Sequence, residues 1–152
     1  MDGNRPEIMA IKQGHPMWDM VIDFATKCSW KAGPFLASKM QKNGFKDWER
    51  VIVAIDNGSV VGYCTLTEKD ELPDEYDFTP FIGFVFVDEK FRGHRISEKM
   101  IECACGYAKE LGYLKVYIMS GEAGLYEKFG FKKIGNYKTV YGTVDQLFEK
   151  EI

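Results

Sequence analysis

Residues 85 to 97 read Val85-Phe86-Val87-Asp88-Glu89-Lys90-Phe91-Arg92-Gly93-His94-Arg95-Ile96-Ser97, an apolar run that passes through a basic, glycine-containing turn into helical patterning. Such a junction suits an anion. The first N–H groups of a helix lack partners, the helix dipole adds partial positive charge there, and Gly93 lets the chain approach a phosphate closely. Arg92 and Arg95 add charge and donors, with His94 as a phosphate neighbour. The turn has neither the glycines of a dinucleotide fingerprint nor the Gly-Lys-Ser/Thr of a phosphate loop. A second concentration of chemistry is acidic: residues 68–77 carry six carboxylates against one lysine. As the rim of a binding site this stretch would attract a cationic amine such as a polyamine, an aminoglycoside or a lysine side chain; as a plain solvated loop it would do nothing. Trp18, Trp30, Phe35 and Trp48 divide in the same way between core and the lining of a binding pocket. The cysteines Cys28, Cys64, Cys103 and Cys105 have neither disulfide-framework nor zinc-site spacing and read as reduced thiols of a cytoplasmic protein. His15 and His94 lie far apart, so no metal site is expected.

The elements that must position these residues follow from periodicity. Glu7 to Gln13 is a short strand, and Pro16 opens a helix carried by Met17, Met20, Val21, Phe24 and Ala25 that ends near Cys28. Phe35, Leu36, Lys39 and Met40 form a second short helix stopped by Asn43-Gly44. Arg50 to Ile55 and Val60 to Thr67 are β-branched runs joined by Asp56-Asn57-Gly58-Ser59, a tight-hairpin signal. Phe81 to Val87 is apolar almost throughout, as a strand buried on both faces would be. A helix from about Ile96 to Leu111 stops at Gly112, followed by a strand from Leu114 to Met119 and a short helix from Gly124 to Phe129. Phe131 to Tyr137 and Lys138 to Val144 read as two strands separated by little more than a turn. This order predicts an α/β, mixed and mostly antiparallel sheet covered by helices.

The 152 residues, with 20 Lys plus Arg against 23 Asp plus Glu and a net charge of −3, fit a single domain over residues 1–152, with 45% hydrophobic residues to build one core. The acidic balance disfavours nucleic acid as a partner. The stretch from Met1 to Glu7 lacks a signal-peptide pattern and the longest apolar run, Phe81 to Val87, is too short to span a bilayer, so a membrane is not expected as a partner either.

Arg92-Gly93-His94-Arg95-Ile96-Ser97 resembles the acetyl-CoA loop of the GNAT superfamily of N-acetyltransferases, Arg/Gln-x-x-Gly-x-Gly/Ala. Arg95 stands where that pattern has glycine and Ser97 where it has glycine or alanine. Gly124-Leu125-Tyr126-Glu127-Lys128-Phe129-Gly130-Phe131 is similar to a second signature of the same fold, in the expected order and separation. The resemblance implies six to seven strands flanked by about four helices, with the fourth and fifth strands splayed. It implies that backbone groups of Val85, Phe86 and Val87 bond the pantetheine arm of acetyl-CoA, that the N–H groups from Arg92 through Gly93, His94, Arg95 and Ile96 to Ser97 hold the pyrophosphate, and that Ser120 bonds the pantetheine. Tyr126 is the matching general acid for the departing CoA thiolate. The implied activity is direct transfer of an acetyl group to a primary amine of a small molecule or peptide, with no metal and no covalent intermediate. Phe81 occupies the place of the glutamate that many relatives carry, leaving Glu68, Asp77, Glu122 or water as general base. Two other readings remain open: a non-catalytic CoA-binding sensor and a protein-interaction domain on the same fold. Dimers are common in the family, and C-terminal strands could pair across chains.

Overall fold

The computed structural model describes residues 6–152; residues 1–5, on which the expectation of no signal peptide partly rests, lie outside them. The chain forms β1 (Glu7–Ile11), α1 (Trp18–Lys27), α2 (Gly33–Gln41), β2 (Arg50–Asp56), β3 (Ser59–Thr67), β4 (Phe81–Val87), α3 (Ile96–Glu110), β5 (Lys115–Ser120), β6 (Lys132–Lys138) and β7 (Val144–Glu151), with single turns of 3-10 helix at Glu89–Phe91 and Tyr126–Phe129. The seven strands make one sheet in the order β1-β2-β3-β4-β5-β7-β6. Every neighbouring pair is antiparallel except β4 and β5. Asn57 and Gly58, with φ of 50° and 79°, close the β2–β3 hairpin, as a two-residue turn matched to strand twist requires.

Period-two alternation assigns the faces. Val51, Val53 and Ile55 point to one side, where they pack with Val21, Ala25, Leu36 and Met40 of α1 and α2. Ile52 and Ala54 point to the other, against Met100, Ile101, Ala104 and Ala108 of α3. That second core continues to Val116 and Ile118 of β5 and Phe148 of β7, so one core joins the β1–β4 part of the sheet, which α3 covers, to the β5–β7 part. A third, smaller cluster joins Leu72 of the β3–β4 loop to Phe81, Tyr117, Met119 and Leu147.

The structure differs from the sequence reading in two places. Among the described residues the flanking α-helices number three, because the Gly124–Phe129 segment closes only a 3-10 turn. The last hairpin also lies later than the apolar pattern implies. Residues 139–143, read as strand, form the turn: the Thr139 N–H donates to the Thr143 carbonyl at 2.7 Å, the two hydroxyls lie 2.8 Å apart, and Gly142 has φ of 87°. The exposed Val140 and Tyr141 are therefore turn residues, and the final strand is Val144–Glu151 with only Leu147 and Phe148 buried. Two central apolar residues among charged ones are a weak strand signal.

Candidate active site

Strands β4 and β5 are joined by one register pair, Phe81 with Tyr117, supported by the Tyr117 N–H donating to the Pro80 carbonyl at 3.0 Å. Beyond it they part. On its other edge β4 pairs with β3, but Phe84 and Val85 together oppose the single residue Cys64, and Phe84 has φ of 49°. This bulge bends the strand and takes a residue out of the ladder. Phe84 and Val85 are half-buried inside an otherwise buried strand, because the side vacated by β5 is open. The backbone polar groups along that edge need partners from outside the sheet. The opening is a cleft of ≈ 1150 Å³.

At one end of the cleft stand Val87, Arg92 and Ser97. The Arg92 Nε donates to the Val87 carbonyl at 3.0 Å and its guanidinium lies 5.6 Å from the Phe86 ring, which holds the side chain along the end of β4. Gly93 and Arg95 take left-handed backbone angles, φ 87° and 61°, and Arg95 is the residue before the first turn of α3. That conformation favours glycine, a physical reason for glycine in the resembled pattern at this position. The N–H groups of the first turn, Ile96 and Ser97 among them, are left for an incoming acceptor. His94 and Ile96 border a separate small depression with Asp56 and Lys90, so the His94 side chain lies away from the main cleft.

Midway, Val85 and Phe86 form one wall and Ile118, Met119 and Ser120 the other. Tyr126 projects between them from its 3-10 turn, 6% exposed and packed edge-on against Phe129 and Phe131. Burial pushes the phenol up to about 12, helped by the charges of Cys64, Glu122 and Asp70 and opposed by a hydrogen bond with Ser120. The phenol is therefore protonated at neutral pH. Ser120 also accepts the Glu122 N–H at 3.0 Å, and Gln146 Nε2 donates to the Ser120 and Glu122 carbonyls at 3.2 and 3.0 Å, fixing the chain after β5.

The opposite end is acidic and aromatic. Asp70, Glu71 and Glu122 line it with Trp30, Phe35, Phe84 and Tyr141. Trp30 is stacked on Phe86 at 5.7 Å and meets Phe84 edge-on at 6.2 Å, which seats the α1–α2 connection over β4. The β3–β4 loop is tied down by the Thr67 hydroxyl on the Lys69 carbonyl (2.8 Å), the Thr79 hydroxyl on the Glu68 carbonyl (2.7 Å), the Lys69 amine on the Tyr76 carbonyl, and the Val140 N–H on the Glu71 carbonyl (2.7 Å). These bonds lay Asp70 across Gly83 of β4, so close that a Cβ on Gly83 would meet its carboxylate at 3.3 Å. Asp70 sits at the cleft floor, and desolvation pushes it up to about 6, with Lys39 opposing and Asp145 adding. Glu71 is pushed up to about 7 by desolvation, then by the charges of Asp70 and Asp145 and a hydrogen bond with Asp145.

The structure thus brings Val85, Phe86, Val87, Arg92, Ser97, Ser120 and Tyr126 to one cleft. Of the candidate bases, Glu122 lines it, whereas Glu68 pairs with Lys46 at 2.9 Å and Asp77 is exposed outside it. Asp70 and Glu71 were not singled out by sequence reasoning; the one local signal was Gly83, since a glycine inside a buried strand often marks close approach by another group. Trp30 and Phe35 line the cleft, while Trp18 is core, its indole N–H donating to the Met40 carbonyl, and Trp48 packs on Tyr113. Among the described residues no group of three or more His, Cys, Asp or Glu is placed to hold a metal ion, and no helix is long and apolar enough to cross a membrane.

A splayed mixed sheet with a bulged fourth strand running into a basic helix start defines the class. The Acetyltransferase (GNAT) domain family matches residues 47–133, more than half of the chain, and the protein belongs to that family. The Escherichia coli (strain K12) "Uncharacterized N-acetyltransferase YhbS" is 27% identical over 82 residues, 54% of this chain and 48% of that protein; the matched region spans about half the length of the curated relative. Its crystal structure in complex with CoA is similar in fold, with a TM-score of 0.71 at 20% identity over 97% of this chain and 81% of that one. The crystal structure of an aminoglycoside 6'-acetyltransferase type Ii has a TM-score of 0.74 at 16% identity, over 95% of this chain and 96% of that one.

Proposed function

We propose that the protein transfers an acetyl group from acetyl-CoA to a primary amine by direct attack, and that the observation carrying this reading is the cleft where β4 leaves β5, with the protonated Tyr126 on one side and Asp70 at its floor. The free edge of β4 from Val85 to Val87 suits the amides of a pantetheine arm, as a strand edge suits an added strand. The start of α3 with Arg92 and Arg95 suits the pyrophosphate. Bound acetyl-CoA would supply the electrophilic acetyl carbonyl carbon, with the CoA sulfur as leaving group. Asp70 takes the proton that the amine nitrogen must lose as the N–C bond forms, the bulged backbone at Phe84 and Val85 offers donors to the carbonyl oxygen, and Tyr126 gives its proton to the sulfur as the C–S bond breaks. Proton exchange with solvent through the cleft resets both groups.

A CoA sensor without turnover is the reading that Arg95 in the loop, and Phe81 in place of a carboxylate on β4, would favour. Asp70 over Gly83 puts a carboxylate beside that strand from the neighbouring loop, which favours the enzyme reading. Use of acetyl-CoA and the four free cysteines support a cytoplasmic setting, and β6, at the sheet edge, is the strand by which a homodimer could form. The test is calorimetric titration with acetyl-CoA followed by an amine panel read as released CoA thiol. The expected results are micromolar binding, at least a ten-fold loss of affinity in Arg92→Ala/Arg95→Ala, and a kcat lowered by roughly 10²-fold or more in Tyr126→Phe with acetyl-CoA affinity spared. No heat of binding and no thermal shift would overturn the assignment.

A further inference from the structure

We infer that the acceptor amine is carried by an aryl group, and that Trp30, Phe84, Phe35 and Tyr141 form the box that takes its ring while the amine lies at Asp70. The inference rests on the transfer reading and names its substrate class. All four rings line the cleft, and packing accounts for only two of them. Phe35 of α2 and Tyr141 of the β6–β7 turn are 72% and 77% exposed, and among the described residues they belong to none of the three cores. Leu36, Ala37 and Met40 carry the buried face of α2, which leaves Phe35 free to face the cleft. Tyr141 is presented by a closed turn, its N–H donating to the Thr139 hydroxyl at 3.2 Å and the Val140 N–H to the Glu71 carbonyl at 2.7 Å. Large apolar side chains held in water on the rims of a cleft mark a groove that an apolar ligand fills.

The bulge in β4 supplies one wall of the box and sets how far ring and amine stand apart. In a regular strand successive side chains face opposite sides. Here Ile82, Val85 and Val87 pack into the core beneath α3, whereas Phe84 and Phe86 pack toward α1 and α2. The face opposite Ile82 therefore carries two consecutive residues, Gly83 and Phe84, and the Asp70 carboxylate lies over the first of them. Consecutive Cα atoms are about 3.8 Å apart, so a linker of about two or three carbons joins a ring against Phe84 to an amine at Asp70. Phe84 holds φ of 49° to make this face, an uncommon conformation for a bulky residue and of the kind kept at ligand sites. Trp30 stacks on Phe86 at 5.7 Å and meets Phe84 edge-on at 6.2 Å. The corner they form suits a flat ring that stacks on one and meets the other by its edge. A polyamine offers no flat face to this corner, and a sugar would bury its hydroxyls against the rings of Phe35 and Phe84, which cannot bond them.

The experiment measures released CoA thiol with 2-phenylethylamine, butylamine and the aminoglycoside kanamycin as acceptors at saturating acetyl-CoA, in the wild type and in Phe35→Ala/Tyr141→Ala. The wild-type kcat/KM is expected to favour 2-phenylethylamine over butylamine by about ten-fold or more. In the double variant the ratio falls toward one, and the loss appears in KM for the aryl amine and not in kcat, as removal of uniform binding requires. Calorimetric titration of the CoA-saturated protein with 2-phenylethylamine gives heat in the wild type and none in the variant, a readout independent of turnover. Both substituted residues lie outside the cores, and an unchanged Tm reports that the variant is folded. A wild-type ratio near one, or a preference for butylamine or kanamycin, overturns this inference and leaves the transfer reading standing. A preference for 2-phenylethylamine retained in the double variant overturns the assignment to these rings. With turnover of no amine the transfer reading fails; heat that vanishes in the variant then still supports the box, and absence of heat in the wild type overturns it.

Discussion

In the proposed transfer Asp70 and Tyr126 take opposite roles on one cleft, and burial acts on both. Both titrate above their ordinary values because the charged form is poorly solvated there. For the phenol this preserves a proton to give; for the carboxyl it places the loss of its proton close to working pH, where a base is most useful. The rate should therefore rise with pH through an apparent pKa of about 6 as Asp70 ionises. Asp70→Asn should abolish that limb and lower kcat by about 10²-fold or more. The same shift has a stability consequence. A carboxyl whose folded pKa lies above its unfolded value stabilises the fold while protonated, and that contribution is lost as pH rises from about 4 to about 6. Asp70→Asn should therefore stabilise the protein at pH 8 by about 1–3 kcal/mol, read by urea unfolding, with little gain at pH 4. Unchanged stability at pH 8 would show that Asp70 is well solvated and unsuited as the base. Of the two residues only Tyr126 was legible in the sequence, through the residues that frame it. Asp70 was not, since six carboxylates share its loop and what distinguishes it is a loop conformation set by Thr67, Thr79 and the turn at Val140.

At the scale of elements, the site is a consequence of how β4 is held between β3 and its missing neighbour. Two glycines allow it. A Cβ on Gly62 of β3 would meet the Phe86 carbonyl oxygen at 2.9 Å, a backbone atom of β4 that cannot swing aside. A Cβ on Gly83 would meet only the Asp70 carboxylate, at 3.3 Å. The two alanine substitutions should therefore separate. Gly62→Ala should destabilise the fold by about 1–3 kcal/mol and weaken acetyl-CoA, whereas Gly83→Ala should hold its Tm within a few degrees and lose turnover by displacing the base. Urea melts with single-turnover assays would decide this, and equal destabilisation by both would remove the distinction. The elements themselves were largely legible, because β2, β3 and β4 are apolar or β-branched runs bounded by turn residues and α3 has a clear apolar face. The β4 bulge was not, since Phe84 in a left-handed conformation is set by pairing with β3 and contact with Trp30. Nor was the final hairpin, where Val140, Tyr141 and Val144 suggest strand but are exposed and the closure depends on the Thr139–Thr143 pairing across the turn.

For the whole molecule, the open seam between β4 and β5 divides the sheet into a β1–β4 part and a β5–β7–β6 part. Among the described residues their one register pair is Phe81 with Tyr117, yet the core is continuous across the seam, from Ile52 and Leu66 to Val116 and Phe148. Side-chain packing therefore holds the two parts together while the backbone edges above it stay free. A ligand that lies in the seam adds contacts to both parts, whereas an anion resting on the α3 start touches one. This separates true cofactor binding from adventitious phosphate binding. Acetyl-CoA at about 100 times its Kd should add about 2.7 kcal/mol, raising Tm by roughly 5–10 °C for a domain of this size. Amide hydrogen exchange should slow together in Phe81–Val87, in Lys115–Ser120 and in the first turn of α3. Inorganic pyrophosphate should protect the α3 start alone. Protection by acetyl-CoA confined to that turn would mean that the pantetheine arm does not enter the seam, and the roles proposed for Tyr126 and Asp70 would fall with it.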